Sequence, residues 1–351
     1  MTLLAAFALI LAGIVALLFG GDFLIRGATS LAKKWNVPSL LIGLTIVAFG
    51  TSAPELVVSI DASLSGYPGL AIGNIVGSNI ANVLFVLGLP AIFGAIATQA
   101  PGVKRNAVFA LLASGALIWA AWDGGIQLWE GGILVALIIL FVGYMGVLAR
   151  RKPDDPLIAE LIEADDGPGL PKSGAAIALF LIVGLVALPL GAHMIVSGGT
   201  RAAELLGVPD AVIGLTAVAI GTSLPELAAV MVAVMRRNAE LAIGNVLGSN
   251  IFNIFAVGGG ASLAVGLTGG TLAVPEQIMT FDVWVMLAAA VVLALWVFAG
   301  RAVGRLTGLV FFGAYAVYIG ALAWMNPVSL GDPDAEGYDG PVVIILDEDN
   351  G

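Results

Sequence analysis

The chain has 351 residues, 60% of them hydrophobic and only 11% charged, with a formal net charge of -10. Soluble domains carry roughly 25% charged residues, so this composition describes an integral membrane protein. Cysteine is absent, which excludes disulfides, thiol redox chemistry and thiolate metal sites, and the 14 basic residues are too few for a nucleic-acid ligand.

Apolar runs of about 20 residues recur along the chain, each long enough to cross a hydrocarbon core of ~30 Å. Ten spans are predicted, at 3–25, 38–62, 70–95, 106–122, 130–149, 174–197, 210–234, 241–266, 282–300 and 306–325. No basic n-region precedes the first, so it is read as a retained span rather than a signal peptide. Of the 14 Lys and Arg, twelve fall in loops or span ends on one side: Lys33, Lys34, Lys104, Arg105, Arg150, Arg151, Lys152, Lys172, Arg236, Arg237, Arg301 and Arg305. The positive-inside rule then puts both termini outside the cytoplasm and the 151–173 loop inside it, across the plasma (inner) membrane. That loop and the tail 326–351 hold much of the acidic charge and are read as solvated segments, the tail disordered. Trp119, Trp122 and Trp129 sit near one outer interface, as an aromatic belt requires.

The second span contains "GTSAPE", a proline and a glutamate placed together in an apolar run, and the motif is written twice. "GLTIVAFGTSAPEL" at 43–56 returns as "GLTAVAIGTSLPEL" at 214–227, and "LAIGNIVGSNIAN" at 70–82 returns as "LAIGNVLGSNIFN" at 241–253. Both pairs share one offset of 171 residues, and 43–88 matches 214–259 at 24 of 46 positions without a gap. Five spans per copy is an odd number, so the second copy enters the membrane from the opposite side. The expected fold is therefore an all-α integral membrane protein. It has ten transmembrane helices in two inverted five-helix repeats, with broken helices at the midplane. The expected units are 1–150, a linker 151–173, 174–325 and the acidic tail.

The motif residues define a chemistry. Pro54 and Pro225 lack an amide hydrogen and crowd the carbonyls of Gly50 and Gly221, which frees backbone oxygens inside the membrane. Hydroxyls flank each break, Thr51 and Ser52 in one copy, Thr222 and Ser223 in the other, and the carboxylates Glu55 and Glu226 follow. Carbonyls, hydroxyls and carboxylates are the ligand set of a hard cation such as Ca2+, Na+ or Mg2+. Ser78 and Asn82 share a helical face, as do Ser249 and Asn253, and present neutral oxygens to the same cavity. Gly73 and Gly77, and Gly244 and Gly248, have the spacing that lets helices approach closely. Asn74, Asn245, Asn79 and Asn250 are read as glue between helices. One divalent cation cancels both glutamates, and so do two monovalent ones, so Ca2+ and Na+ would compete. Protonation of a glutamate would also substitute for a monovalent ion, which leaves proton exchange open. His193, the repeat counterpart of Asp22, is read as interfacial or packed, and Asp61 as a span-end or vestibule residue.

Paired GTSxPE and GSNIxN segments in a ten-span inverted repeat resemble the sodium/calcium exchangers of the calcium/cation antiporter superfamily. The resemblance covers both signature repeats and, through the span layout, nearly the whole membrane part. It implies a secondary antiporter exchanging Ca2+ for Na+ by alternating access, of the prokaryotic type without cytosolic regulatory domains. It further implies a calcium site of Thr51, Glu55, Thr222 and Glu226. Sodium sites would use the Ala48 carbonyl with Ser52 and Ser249, and the Ala219 carbonyl with Ser78 and Ser223. Asn82 and Asn253 would line the centre, and the first and sixth spans would slide. Some members carry Asp where Asn253 stands, which argues against the potassium-dependent branch. The alternatives are a cation/H+ antiporter using the same glutamates and, more distantly, a passive cation channel. An enzyme is not expected, since the chain has no HExxH and a single histidine. The expected partners are the lipid bilayer and the transported ions Ca2+ and Na+, with no cofactor, and a monomer is an admissible assembly.

Overall fold

The computed structural model describes residues 2–37, 39–151, 169–205 and 221–325, which form helices with two short strands. Helix α1 (Leu3–Trp35) begins where the Thr2 hydroxyl accepts from the Ala5 amide at 3.3 Å and ends at Asn36, which takes a left-handed conformation. It runs ten residues past the apolar segment, because apolarity marks the lipid while the cap marks the helix end. Lys33 and Lys34 occupy its last turn, where positive charge complements the helix dipole.

The second span is broken. Helices α2 (Ser39–Thr51) and α3 (Ala53–Leu64) meet at 42°, with Ser52 (φ -88°, ψ 3°) as the hinge. Pro54 lies in the first turn of α3, where its missing N–H would have had no helical partner. The chain continues through α4 (Pro68–Phe93), α5 (Val103–Ala120), α6 (Leu128–Arg151) and α7 (Gly174–Leu205). Then come α8 (Leu224–Met235), α9 (Ala239–Leu267), α10 (Ile278–Phe298) and α11 (Arg305–Met325). Among the described residues, eight helices are long and apolar enough to cross a membrane, and α2 with α3 makes a ninth, broken span. The remaining expected span, 210–234, is represented by α8, and residues 206–220 lie outside the described residues, as do 152–168 and 326–351. Helix α8 opens as α3 does, on Ser223 (φ -89°, ψ 0°) with Pro225 in its first turn.

Burial orders the helices around a centre. The apolar windows of α4 and α9 are 83% and 61% buried, those of α5 and α10 44% each, and those of α1 and α11 22%. The lipid-facing surface is made of residues such as Leu4, Phe7 and Leu11 on α1 and Leu306, Val310 and Val317 on α11. Both central helices widen into π-helical turns, at Asn82–Val86 and Asn253–Gly258, each starting on the repeated asparagine. Such bulges insert a residue into the helical ladder and favour functional sites.

Two loop contacts reveal the two-fold relation. Strand β1 (Gly125–Ile126), between α5 and α6, pairs antiparallel with β2 (Leu272–Ala273), between α9 and α10. Ile96, between α4 and α5, bridges Val303, between α10 and α11, by two backbone bonds of 2.9 Å. Each contact joins a third-to-fourth-span loop of one copy to a fourth-to-fifth-span loop of the other, as inversion demands. Helices α1 and α7, repeat counterparts, pack closely along their length. A methyl group on Gly13 would meet the Gly191 carbonyl at 2.7 Å, and one on Gly184 would meet Leu24. The glycine pairs of α4 and α9 behave differently from each other. A methyl on Gly248 would strike Ala48 and the Leu44 carbonyl at 2.7 Å, whereas one on Gly77 would meet nothing within 4 Å among the described residues.

Candidate ion-binding site

The two motif copies converge where α3 and α8 begin. Glu55 lies in the first turn of α3 after Ser52 and Glu226 in the first turn of α8 after Ser223, and both side chains are 1% exposed. Their position in a first turn sets each carboxylate at the positive end of a helix dipole. The Ser52 hydroxyl donates to Glu226 Oε1 at 3.2 Å, so the hinge of one copy touches the carboxylate of the other. The Thr51 hydroxyl lies 3.3 Å from Asn245 Oδ1 of α9 and 3.3 Å from the Ala48 carbonyl. Glu55 follows Ser52 in the first turn of α3, so the Ser52–Glu226 bond sets the two carboxylate-bearing helix starts side by side.

The distinguishing feature is a set of buried polar atoms with no hydrogen-bond partner among the described residues. They include both oxygens of Glu55, Glu226 Oε2, the hydroxyls of Ser223 and Ser249, and both amide atoms of Asn82 and of Asn253. A buried polar atom without a partner costs about 1–3 kcal/mol, more when charged, so native interiors rarely keep one. So many around two carboxylates is the signature of a site built for a ligand. The unpartnered oxygens outnumber the donors, a balance that suits a cation. Only two carboxylates contribute, and no cluster of three or more His, Cys, Asp or Glu occurs among the described residues. The rest of the coordination would come from neutral oxygens, which suits Ca2+ and Na+ and disfavours a transition metal.

The other expected residues are placed as follows. Ser52 is buried against Glu226, Ser223 is buried at the start of the helix that carries Glu226, Ser78 is buried against Asn74, and Thr222 is half-buried next to Ser223. The Ala48 carbonyl accepts from the Ser52 amide at 3.0 Å, so it is already engaged in the helical ladder. Ala219 lies outside the described residues. Two of the four asparagines act as glue: Asn74 Nδ2 donates to Ser59 on α3 at 2.9 Å, and Asn245 accepts from Thr51. Asn79 Nδ2 instead bonds the Ile75 carbonyl of its own helix at 2.7 Å, and Asn250 Oδ1 has no partner among the described residues. His193 is exposed and contacts Ser197 of its own helix at 3.4 Å, so it is not packed. Asp61 is exposed near the end of α3, as expected.

Three features escape the motif reading. Ser59 is fully buried beside Asn74, although its repeat counterpart is Val230. Asp282 on α10 is buried within a span and accepts from the Tyr318 hydroxyl of α11 at 2.8 Å. Asp22 on α1 pairs with Arg236 after α8, whose Nε donates to Oδ1 at 2.6 Å, and with Arg26 at 3.3 Å. A carboxylate inside a span signals a polar partner, but no sequence pattern names that partner.

The broken second span, the inverted copies and the two buried carboxylates that meet between them are the features of a multi-pass membrane transporter. The comparisons agree. The family model for the sodium/calcium exchanger protein matches twice, over residues 5–147 and 176–324. The chain belongs to that family. It is 33% identical over 352 residues to the sodium/calcium exchanger MaX1 of Methanosarcina acetivorans, covering 91% of this chain and 99% of that one. It is also 33% identical over 333 residues to the inner membrane protein YrbG of Escherichia coli, covering 93% and 99%. A solved structure of the sodium-calcium exchanger NCX_Mj, soaked with Na+ and Ca2+, superposes with a TM-score of 0.75 at 31% identity, covering 92% of this chain and 99% of that one.

Proposed function

We propose that this protein exchanges Ca2+ for Na+ across the membrane by alternating access, using the cage between its two repeats. The observation that carries the reading is that three of the four carboxylate oxygens of the buried Glu55 and Glu226 have no partner among the described residues, while buried hydroxyl and amide atoms of Ser223, Ser249, Asn82 and Asn253 are likewise unpartnered. Two carboxylates in a medium of low dielectric must be neutralised. One Ca2+ does this alone, whereas Na+ must bind at two or more positions, and the two fillings exclude each other. Mutual exclusion at one site is the thermodynamic basis of antiport. Calcium would take Thr51, Glu55, Thr222 and Glu226. Sodium would take the flanking groups, Ala48, Ser52 and Ser249 on one side and Ala219, Ser78 and Ser223 on the other, with Asn82 and Asn253 at the centre. The family's printed description and the names of MaX1 and NCX_Mj support this choice of ions.

In this reading the chain is a transporter rather than an enzyme. Its repeats are 1–150 and 174–325, joined by the linker 151–173 and followed by the tail 326–351. The basic end, carrying Lys33, Lys34, Arg236, Arg237, Arg301 and Arg305, faces the cytoplasm of a plasma (inner) membrane, with both termini on the other side. The test is calcium uptake into proteoliposomes under Na+, K+ and H+ gradients compared side by side. Uptake that requires an outward Na+ gradient supports the proposal. Uptake driven equally by a pH gradient without sodium transfers it to proton exchange, and uptake with no counter-ion gradient indicates a passive channel.

A further inference from the structure

The two halves of the site are written alike, yet they are not wired alike. In the first copy the Asn74 amide is held at both ends. Its Nδ2 donates to the Ser59 hydroxyl at 2.9 Å and to the Glu55 carbonyl at 3.4 Å, while its Oδ1 accepts from the Ser78 hydroxyl at 3.4 Å. A backbone carbonyl can only accept, so the Asn74 end facing α3 is the NH2 group, and Oδ1 is left for Ser78. All three side chains are buried, Ser59 completely. Ser59 follows Glu55 by four residues and so lies on the same face of α3, one turn along.

In the second copy the arrangement fails at one position. Val230 stands where Ser59 would be, and it can accept no hydrogen bond. Asn245 Oδ1 accepts from Thr51 across the molecule, while its Nδ2 and the Ser249 hydroxyl are buried with no partner among the described residues.

A hydroxyl coordinates a cation through its lone pairs, so its proton must point elsewhere. We infer that Ser59 is a positioning residue for sodium coordination in the first copy: it fixes the Asn74 amide, which takes the Ser78 proton and turns the Ser78 lone pairs toward the ion. Ser249 has no such lock and must reorient on binding. The inference rests on the antiport reading and adds that the two sodium sides are unequal, the Ser78 side being preorganised. Preorganisation lowers the cost of binding without adding a contact.

The test compares Ser59→Ala and the nearly isosteric Ser59→Cys with Ser59→Thr, which keeps the hydroxyl, in sodium-driven calcium uptake by proteoliposomes. Loss of one hydrogen bond should raise the Na+ concentration for half-maximal uptake roughly two- to ten-fold in Ser59→Ala. Ser59→Cys should shift it in the same direction by less, and Ser59→Thr should restore it. Half-saturation by Ca2+, read by equilibrium binding without Na+, should stay near the wild-type value in all three, as should the maximal rate. An unchanged sodium half-saturation in Ser59→Ala and Ser59→Cys overturns the inference. So does an equal shift for both ions, which would mean a loosened fold. If the wild-type chain shows no sodium-driven uptake at all, the antiport reading fails first and takes the inference with it.

Discussion

Glu55 and Glu226 carry the account at the residue scale. Each is almost wholly buried, and Glu55 has no hydrogen-bond partner for either oxygen among the described residues. Removing one charge from a buried site that must hold a divalent ion costs on the order of 3–5 kcal/mol, or at least two orders of magnitude in binding. Glu55→Gln and Glu226→Gln should therefore each lower calcium affinity about 100-fold or more, measured with 45Ca on purified protein. A loss of only a few-fold in either would mean that the carboxylates do not share one ion. Asp282 offers a contrast, because its partner is internal. Tyr318→Phe removes the hydroxyl that satisfies it across α10 and α11, and should destabilise the fold by about 1–3 kcal/mol. The expected readout is a lower melting temperature with ion competition unchanged. The glutamates were legible in the sequence because charge inside an apolar run is conspicuous and theirs was duplicated. The Asp282–Tyr318 and Ser59–Asn74 bonds were not, since each joins residues whose spacing carries no period.

At the scale of elements, close packing and a polar strap set what can move. Gly248→Ala would drive a methyl group into Ala48 and the backbone of Leu44, forcing α9 away from α2, whereas Gly77→Ala has open space among the described residues. Overpacking costs about 1–3 kcal/mol, so Gly248→Ala should melt earlier than wild type and Gly77→Ala should not. Equal behaviour of the two would deny the asymmetry. The spacing of these glycines announced close contact in both copies, but only the partner helix decides whether contact occurs. The strap lies at the basic end. Asp22 of α1 is tied to Arg236 and Arg26, and Asn238 Nδ2 donates to Thr29 of α1 at 3.2 Å. At the opposite end the repeat counterpart of Asp22 is the exposed His193. A half-exposed ion pair contributes up to about 1 kcal/mol, enough to shift the balance between closed and open forms several-fold. Because the chain has no cysteine, a Ser30→Cys reporter on the buried face of α1 would label cleanly with a maleimide. Adding Asp22→Asn should speed that labelling several-fold, and an unchanged rate would remove the strap from the account.

The whole molecule is an inverted pair built around α4 and α9, and much of that was written in a single offset of 171 residues. The offset located the break between α2 and α3 and the matching start of α8, because proline beside glutamate has few uses in lipid. It also forecast the two-fold relation later seen in the crossed loop contacts of Gly125–Ile126 with Leu272–Ala273 and of Ile96 with Val303. Other features depend on backbone adjustments that side-chain patterns do not encode. The π-helical turns at Asn82 and Asn253 are one case, and the extension of α1 to Trp35 is another. In the proposed antiport, Ca2+ and Na+ occupy one cage in alternation. Equilibrium binding of 45Ca to the purified protein at increasing Na+ tests it most directly. Na+ should raise the apparent dissociation constant steeply, with more than one ion needed per Ca2+ displaced, at constant capacity. Calcium binding indifferent to Na+ would contradict it.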